Sequence, residues 1–93
     1  GNAIRRLAIE CKVTKDKKKY FPKSEIEQLN HFSRKFGSEP WIGVKFPDEP
    51  WYFLILEDLE ETKSNYGLSL DVAKRRGLMF DELLGNSDKN RNI

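Results

Sequence analysis

The sequence is poor in the residues that make several functions easy to recognise. It has one cysteine, Cys11, which rules out an internal disulfide framework and suits a reducing compartment. It has one histidine, His31, so a metal site built on paired imidazoles is excluded, and His31 reads as a surface or dimer-edge residue. No apolar run approaches the roughly 20 residues of a helical membrane span. No charged-then-apolar leader opens the chain, so the expected location is cytoplasmic, with no membrane partner. Charge of one sign is scarce too. The formal net charge of +2 is too small to identify a nucleic-acid partner, so the positions of the lysines must decide. The only methionine is Met79, and the chain opens Gly1-Asn2-Ala3, which reads as the downstream part of a longer polypeptide.

What is present is enough for one small domain: 93 residues, 38% hydrophobic and 34% charged. A chain this short buries only roughly two-thirds of its unfolded surface, so its stability is expected to lean on a partner. After a turn at Gly1-Asn2, residues 4–14 alternate, with Leu7, Ile9, Cys11 and Val13 on a face expected to be buried. Ala8, Glu10, Lys12 and Thr14 share the other, expected to be exposed. Lys15 to Lys19 reads as a polar loop. Ser24 with Glu27 three residues on predicts a capping box for a helix running to Phe36 and stopped by Gly37. On that helix Ile26, Leu29, Phe32 and Phe36 form one apolar stripe.

"PWIGVKF" and "WYFLIL", joined by "PDEP", predict an antiparallel hairpin over 40–46 and 51–56. Residues 58–65 read as irregular. "SLDVAKRR" predicts a short helix capped by Ser69 and stopped by Gly77, "LMFDELLG" predicts another, and 86–93 reads as a frayed tail after a domain over 1–85.

The stretch that bears on chemistry is "LAIECKVTKDKKK", residues 7–19. Glu10 and Lys12 point the same way from one strand, about 7 Å apart at Cα. A carboxylate is a hard oxygen ligand suited to Mg²⁺, and an ammonium can offset charge developing on phosphoryl oxygens. By itself the Glu-x-Lys triplet more often marks an ordinary solvated pair. The order of elements adds to it: strand with Glu-x-Lys, basic loop, helix with a double-Phe stripe, glycine, apolar hairpin.

In that order, and in the stretches "LAIECKVTK", "FSRKFG", "PW…VKF" and "ELLG", the chain resembles the archaeal Holliday-junction resolvases, a branch of the PD-(D/E)xK nuclease superfamily. The resemblance spans about residues 1–85. It implies an α/β, restriction-endonuclease-like mixed sheet flanked by helices, here N-terminally incomplete, and a homodimer that cuts four-way DNA junctions with Mg²⁺, or Mn²⁺, as cofactor. It gives Glu10 the role of metal-binding carboxylate and Lys12 that of catalytic lysine, and it makes the Cys11 backbone carbonyl a metal ligand. The Cys11 thiol, on the face expected to be buried, is read as core. Phe32 and Phe36, with Leu29, match a helix face that the family buries at a two-fold contact. The family's "PD" aspartate and the helix ahead of it precede the turn at which this chain opens. These 93 residues alone are therefore expected not to cut DNA efficiently.

Lys15, Lys17, Lys18 and Lys19 read either as phosphate contacts beside the active strand or as a solvated loop. Trp41, Trp51, Tyr52 and Phe53 read as core or interface rather than as base-stacking platforms. Arg75 and Arg76 could reach a distant DNA arm, which the residues leave undecided. Two other functions remain open: a non-catalytic DNA-binding or dimerisation module of the same fold, and a repair nuclease with another branched substrate.

Overall fold

Two three-stranded sheets and three helices make up the computed structural model, which describes residues 4–85. In the first sheet β1 (Leu7–Val13) runs parallel to β3 (Glu39–Lys45), and β3 pairs antiparallel with β4 (Trp51–Ile55), in the order β1-β3-β4. The β3–β4 hairpin turns at Phe46-Pro47-Asp48-Glu49, where the Glu49 N–H donates to the Phe46 carbonyl at 3.2 Å. Asp48 takes the positive φ of 61° that the third position of such a turn requires, a conformation aspartate tolerates better than most residues. A single bridge from Phe53 to Leu78 extends the β4 side. The outer edge of β1 carries no strand among the described residues.

The second sheet departs from the sequence reading. β2 (Lys18–Pro22), β6 (Asn65–Ser69) and the two-residue β5 (Glu60–Glu61) form an antiparallel sheet in the order β2-β6-β5. Lys18 and Lys19 are therefore strand residues, and only Lys15 to Lys17 form a turn. The lysine run masked a strand whose anchor is Phe21, fully buried. Residues 58–65, expected to be irregular, supply the end of a 3-10 turn over Leu56–Asp58, then β5 and the start of β6. The tail 86–93 and the Gly1-Asn2 turn lie outside the described residues.

α1 (Lys23–Phe36) starts directly after β2, with Pro22 as N-cap and no side-chain cap, so the expected Ser24–Glu27 box does not form. Ser24 lies one residue inside the helix, where its hydroxyl cannot act as the cap. At the other end Gly37 adopts φ 66°, and its N–H returns to the Ser33 carbonyl, the left-handed cap that glycine accommodates without strain. α2 (Leu70–Arg76) is capped by the Ser69 hydroxyl, which accepts from the Val72 N–H, and it ends at Gly77. α3 (Phe80–Leu83) begins where the Glu82 carboxylate accepts from the Met79 N–H at 2.7 Å.

The core lies between the first sheet, α1 and the second sheet: Ile42, Val44, Phe46 and Leu54 from one side, Ile26 from the helix, Phe21 and Leu68 from the other, with Ala73 of α2. The expected single stripe on α1 divides. Ile26 and Ser33 face inward, Leu29 is half-buried, and Phe32 and Phe36 are each about half exposed. At 3.6 residues per turn Phe32 lies about 120° around the helix from Ile26, too far to share its face.

The alternation along β1 is as expected, but its faces are reversed. Glu10 stands opposite Ile42 and Lys12 opposite Val44, both fully buried, so the Glu10–Lys12 side looks toward α1. Leu7, Ile9, Cys11 and Val13 look outward alongside Trp41, Gly43 and Lys45. Val13 is 66% exposed, and Cys11 is exposed rather than core. β1 is an edge strand, and the helix that covers the sheet crosses its polar side.

On this outer side Phe53 packs against Phe80 and stacks beside Trp51, with ring centroids 5.6 and 6.4 Å away. Gly43 lies between them and Cys11: a Cβ there would meet Phe53 Cε1 at 2.7 Å and the Cys11 sulfur at 3.3 Å. We expect Gly43→Ala to cost about 1–3 kcal/mol by forcing the Phe53 ring from its place. Urea unfolding measures this as a lowered midpoint at unchanged m-value.

Candidate active site

A parallel strand held against the core by one edge positions both side chains of the Glu-x-Lys triplet. The Lys12 ammonium lies 3.6 Å from Glu10 Oε2, with the two side chains 34% and 39% exposed. The pair is thus half-buried at the margin of the sheet, and not on an open face as the sequence suggested. Both chains leave a rigid element, which fixes their Cα positions more closely than a loop would.

The main chain of β1 adds an oxygen. The Arg6 carbonyl accepts from the Glu39 N–H at 2.7 Å, and the Thr14 N–H donates to the Lys45 carbonyl at 3.0 Å, so even-numbered residues turn their main chain toward β3. Alternation points the Cys11 carbonyl the other way, to the unpaired edge. Glu10 and the Cys11 carbonyl are both hard oxygen donors, a set that fits Mg²⁺ or Mn²⁺. Among the described residues no three His, Cys, Asp or Glu side chains converge on one point, so water or further donors would complete such a shell. The Cys11 thiol is held above its ordinary pKa, chiefly by partial burial and then by the Glu10 charge, which disfavours a thiolate nucleophile.

One residue at this site escaped the sequence analysis. Glu25, on the first turn of α1, places Oε1 3.0 Å from the Lys12 ammonium, closer than Glu10 comes. That oxygen is buried and accepts no hydrogen bond of good geometry among the described residues, so the ammonium is its compensation. Pairing with Glu25 is the main reason the Lys12 ammonium is held above the usual lysine pKa; burial opposes it, and Glu10 adds a smaller push. No spacing rule links a strand lysine to a helix carboxylate 13 residues on, and only the packing of α1 over β1 reveals the pair.

The basic run divides by its neighbours. Lys18 is committed: its ammonium lies 3.3 Å from Glu60 and 5.0 Å above the Tyr20 ring. Lys15, Lys17 and Lys19 enter no ion pair among the described residues, and Lys15 and Lys17 are exposed in the turn that follows β1. The later basic residues are neutralised locally, Lys74 by Glu49, Arg75 by Asp71 and Arg76 by Asp58. Phe32 and Phe36 touch each other on the outer side of α1, with ring centroids 4.6 Å apart and His31 exposed beside them. Trp41, Trp51 and Tyr52 are half-buried and Phe53 is buried, as expected of packing residues. The Tyr52 hydroxyl donates to Glu49 at 2.9 Å.

Comparison with known proteins gives a consistent outcome. The family described as archaeal Holliday junction resolvase (Hjc) matches residues 1–92. The chain is 37% identical over 92 residues to the crossover junction endodeoxyribonuclease Hjc of Archaeoglobus fulgidus, covering 91% of this chain and 68% of that protein. It is 42% identical over 43 residues to the enzyme of the same name from Methanocaldococcus jannaschii, covering 46% of this chain and 32% of that one. The solved structure of the Archaeoglobus fulgidus protein, a Holliday junction resolvase, superposes with a TM-score of 0.82 at 36% identity, covering 91% of this chain and 69% of that one. With a match over nearly its whole length and a shared arrangement of sheets and helices, the chain belongs to the archaeal Holliday junction resolvase family.

Proposed function

We propose that this chain is the catalytic part of a structure-selective endonuclease that resolves four-way DNA junctions as a homodimer by Mg²⁺-dependent phosphodiester hydrolysis. The observation that carries the reading is the half-buried Glu10–Lys12 pair at 3.6 Å on the rigid edge strand of a fold shared with an Hjc resolvase. Glu10 and the Cys11 carbonyl would hold the metal, which supplies Lewis-acid polarisation of the scissile phosphate and a more acidic water when bound. Lys12 places a positive charge where phosphoryl oxygens gain negative charge. Lys15, Lys17, Lys18 and Lys19 run along the phosphate backbone, with the first two the most available. No helix offers base readout, which suits recognition of branch geometry over sequence. Phe32 and Phe36, with Leu29 at their margin, form the two-fold contact. Two half-exposed rings on an otherwise polar helix face are the kind of aromatic anchor that interfaces bury. No helix among the described residues is long and apolar enough to cross a membrane.

In the full-length protein, Glu10→Ala or Lys12→Ala should abolish cleavage of a four-way junction while leaving its affinity nearly intact. Gel-shift and cleavage assays on one substrate check this, and normal cutting by either variant removes the assignment. Binding should weaken steeply with salt. Lys15→Ala with Lys17→Ala should reduce the slope of log affinity against log salt by about 1.8, from roughly 0.9 per lost phosphate contact, and Lys18→Ala should change it less. Truncating Phe32 and Phe36 together to Ala should remove about 3 to 8 kcal/mol of aromatic burial, enough to dissociate a typical dimer. Sedimentation at micromolar concentration reads the outcome: a persistent dimer would place the contact elsewhere.

A further inference from the structure

We propose that Glu25 is a positioning residue that holds the Lys12 ammonium at the cleavage centre and keeps it from closing onto Glu10. The inference deepens the function proposed above and rests on its assignment of Lys12. A lysine ends in a point charge on a flexible four-carbon stem, so its location is set by whatever binds the ammonium. Here two carboxylates compete for it, and Glu25 Oε1 at 3.0 Å is nearer than Glu10 Oε2 at 3.6 Å. Glu25 is itself well held. It stands in the first turn of a 14-residue helix, where a carboxylate faces the positive end of the helix dipole, and its near oxygen is shut off from water. A buried carboxylate oxygen left without a cation is costly, so each group of the pair fixes the other.

Without Glu25 the nearest remaining acidic neighbour of Lys12 is Glu10. The ammonium would then settle on the carboxylate that is needed as a metal ligand, compromising both roles at once. Glu27, two residues on, is exposed on a different side of α1 and serves as the control.

The test uses the full-length protein with Glu25→Ala, Glu25→Gln, Lys12→Ala, the Lys12→Ala/Glu25→Ala double variant and Glu27→Ala. Three quantities are measured for each: single-turnover cleavage of a four-way junction, junction affinity by gel shift, and the Lys12 ε-methylene protons by NMR. We expect Glu25→Ala to slow cleavage about 10- to 100-fold, as the loss of a supporting partner typically does. Affinity should stay within about twofold, since the group touches no DNA by this account. Glu25→Gln, of the same size, should fall between Glu25→Ala and the parent. The double variant should be no slower than Lys12→Ala, the signature of two residues acting through one group. The Lys12 ε-methylene protons, distinct when the ammonium is held, should merge in Glu25→Ala and stay distinct in Glu27→Ala.

Wild-type cleavage by Glu25→Ala beside an inactive Lys12→Ala overturns this inference alone. Normal cleavage by Lys12→Ala overturns the site assignment, and this inference with it. If Glu25→Ala loses affinity and thermal stability in step with cleavage while the Lys12 resonances do not change, Glu25 belongs to the fold and the inference fails. Should Glu25→Ala not fold, Glu25→Gln carries the same comparisons, with a smaller effect expected and an unchanged rate overturning the proposal.

Discussion

The pairing of β1 with β3 is the constraint on which the rest depends. Its parallel register sets Glu10 against Ile42 and Lys12 against Val44, so two charged residues take their direction from the best-buried part of the sheet. A slip of one residue would send both to the outer side and bring Ile9 and Cys11 under α1. The same pairing leaves β1 with one edge unbonded among the described residues, and it is to this edge that the Cys11 carbonyl points. Ordinary sheet geometry thus gathers a side-chain carboxylate, a main-chain oxygen and an ammonium within a few residues of one strand. No insertion or strained backbone is needed in β1 to do so.

Much of this was legible in the sequence, and the failures share a cause. The hairpin, the Ser69 and Gly77 boundaries of α2 and the Gly37 stop of α1 all follow from local chemistry, which a single sequence displays. The direction of β1 does not. Apolar Leu7, Ile9, Cys11 and Val13 looked like the buried side, because alternation reports two faces and not which one a helix will cover. β2 was hidden for a related reason: Lys18 and Lys19 look like loop residues until the Phe21 anchor and the partner strand Asn65–Ser69 are seen together. Glu25 was invisible because its importance arises from a contact between elements. The Glu-x-Lys triplet could be found, but its third partner could not.

Charge is arranged with the same economy. Lys18, Lys23, Lys74, Arg75 and Arg76 are all matched by nearby carboxylates, mostly at exposed positions where such pairs contribute little to stability. Their effect is on the field around the molecule, because a matched cation adds little to long-range attraction. Positive potential that is not cancelled is thereby concentrated near the turn after β1, around Lys15 and Lys17. A chain with a net charge of only +2 can in this way present a basic surface beside one edge of one sheet.

α1 carries three duties on three sides: Ile26 and Ser33 fasten it to the core, Glu25 meets Lys12, and Phe32 and Phe36 face outward. A helix rises 1.5 Å per residue and cannot stretch, so Glu25 and Phe36 are separated by about 16 Å along its axis. α1 therefore behaves as a ruler between the outward rings and the ammonium. In an assembly joined through those rings, the span between two cleavage centres would be set by helix pitch rather than by loops. Adding or deleting a single residue between Glu25 and Phe32 would turn one end by about 100° relative to the other, and the mark and the scale would no longer line up.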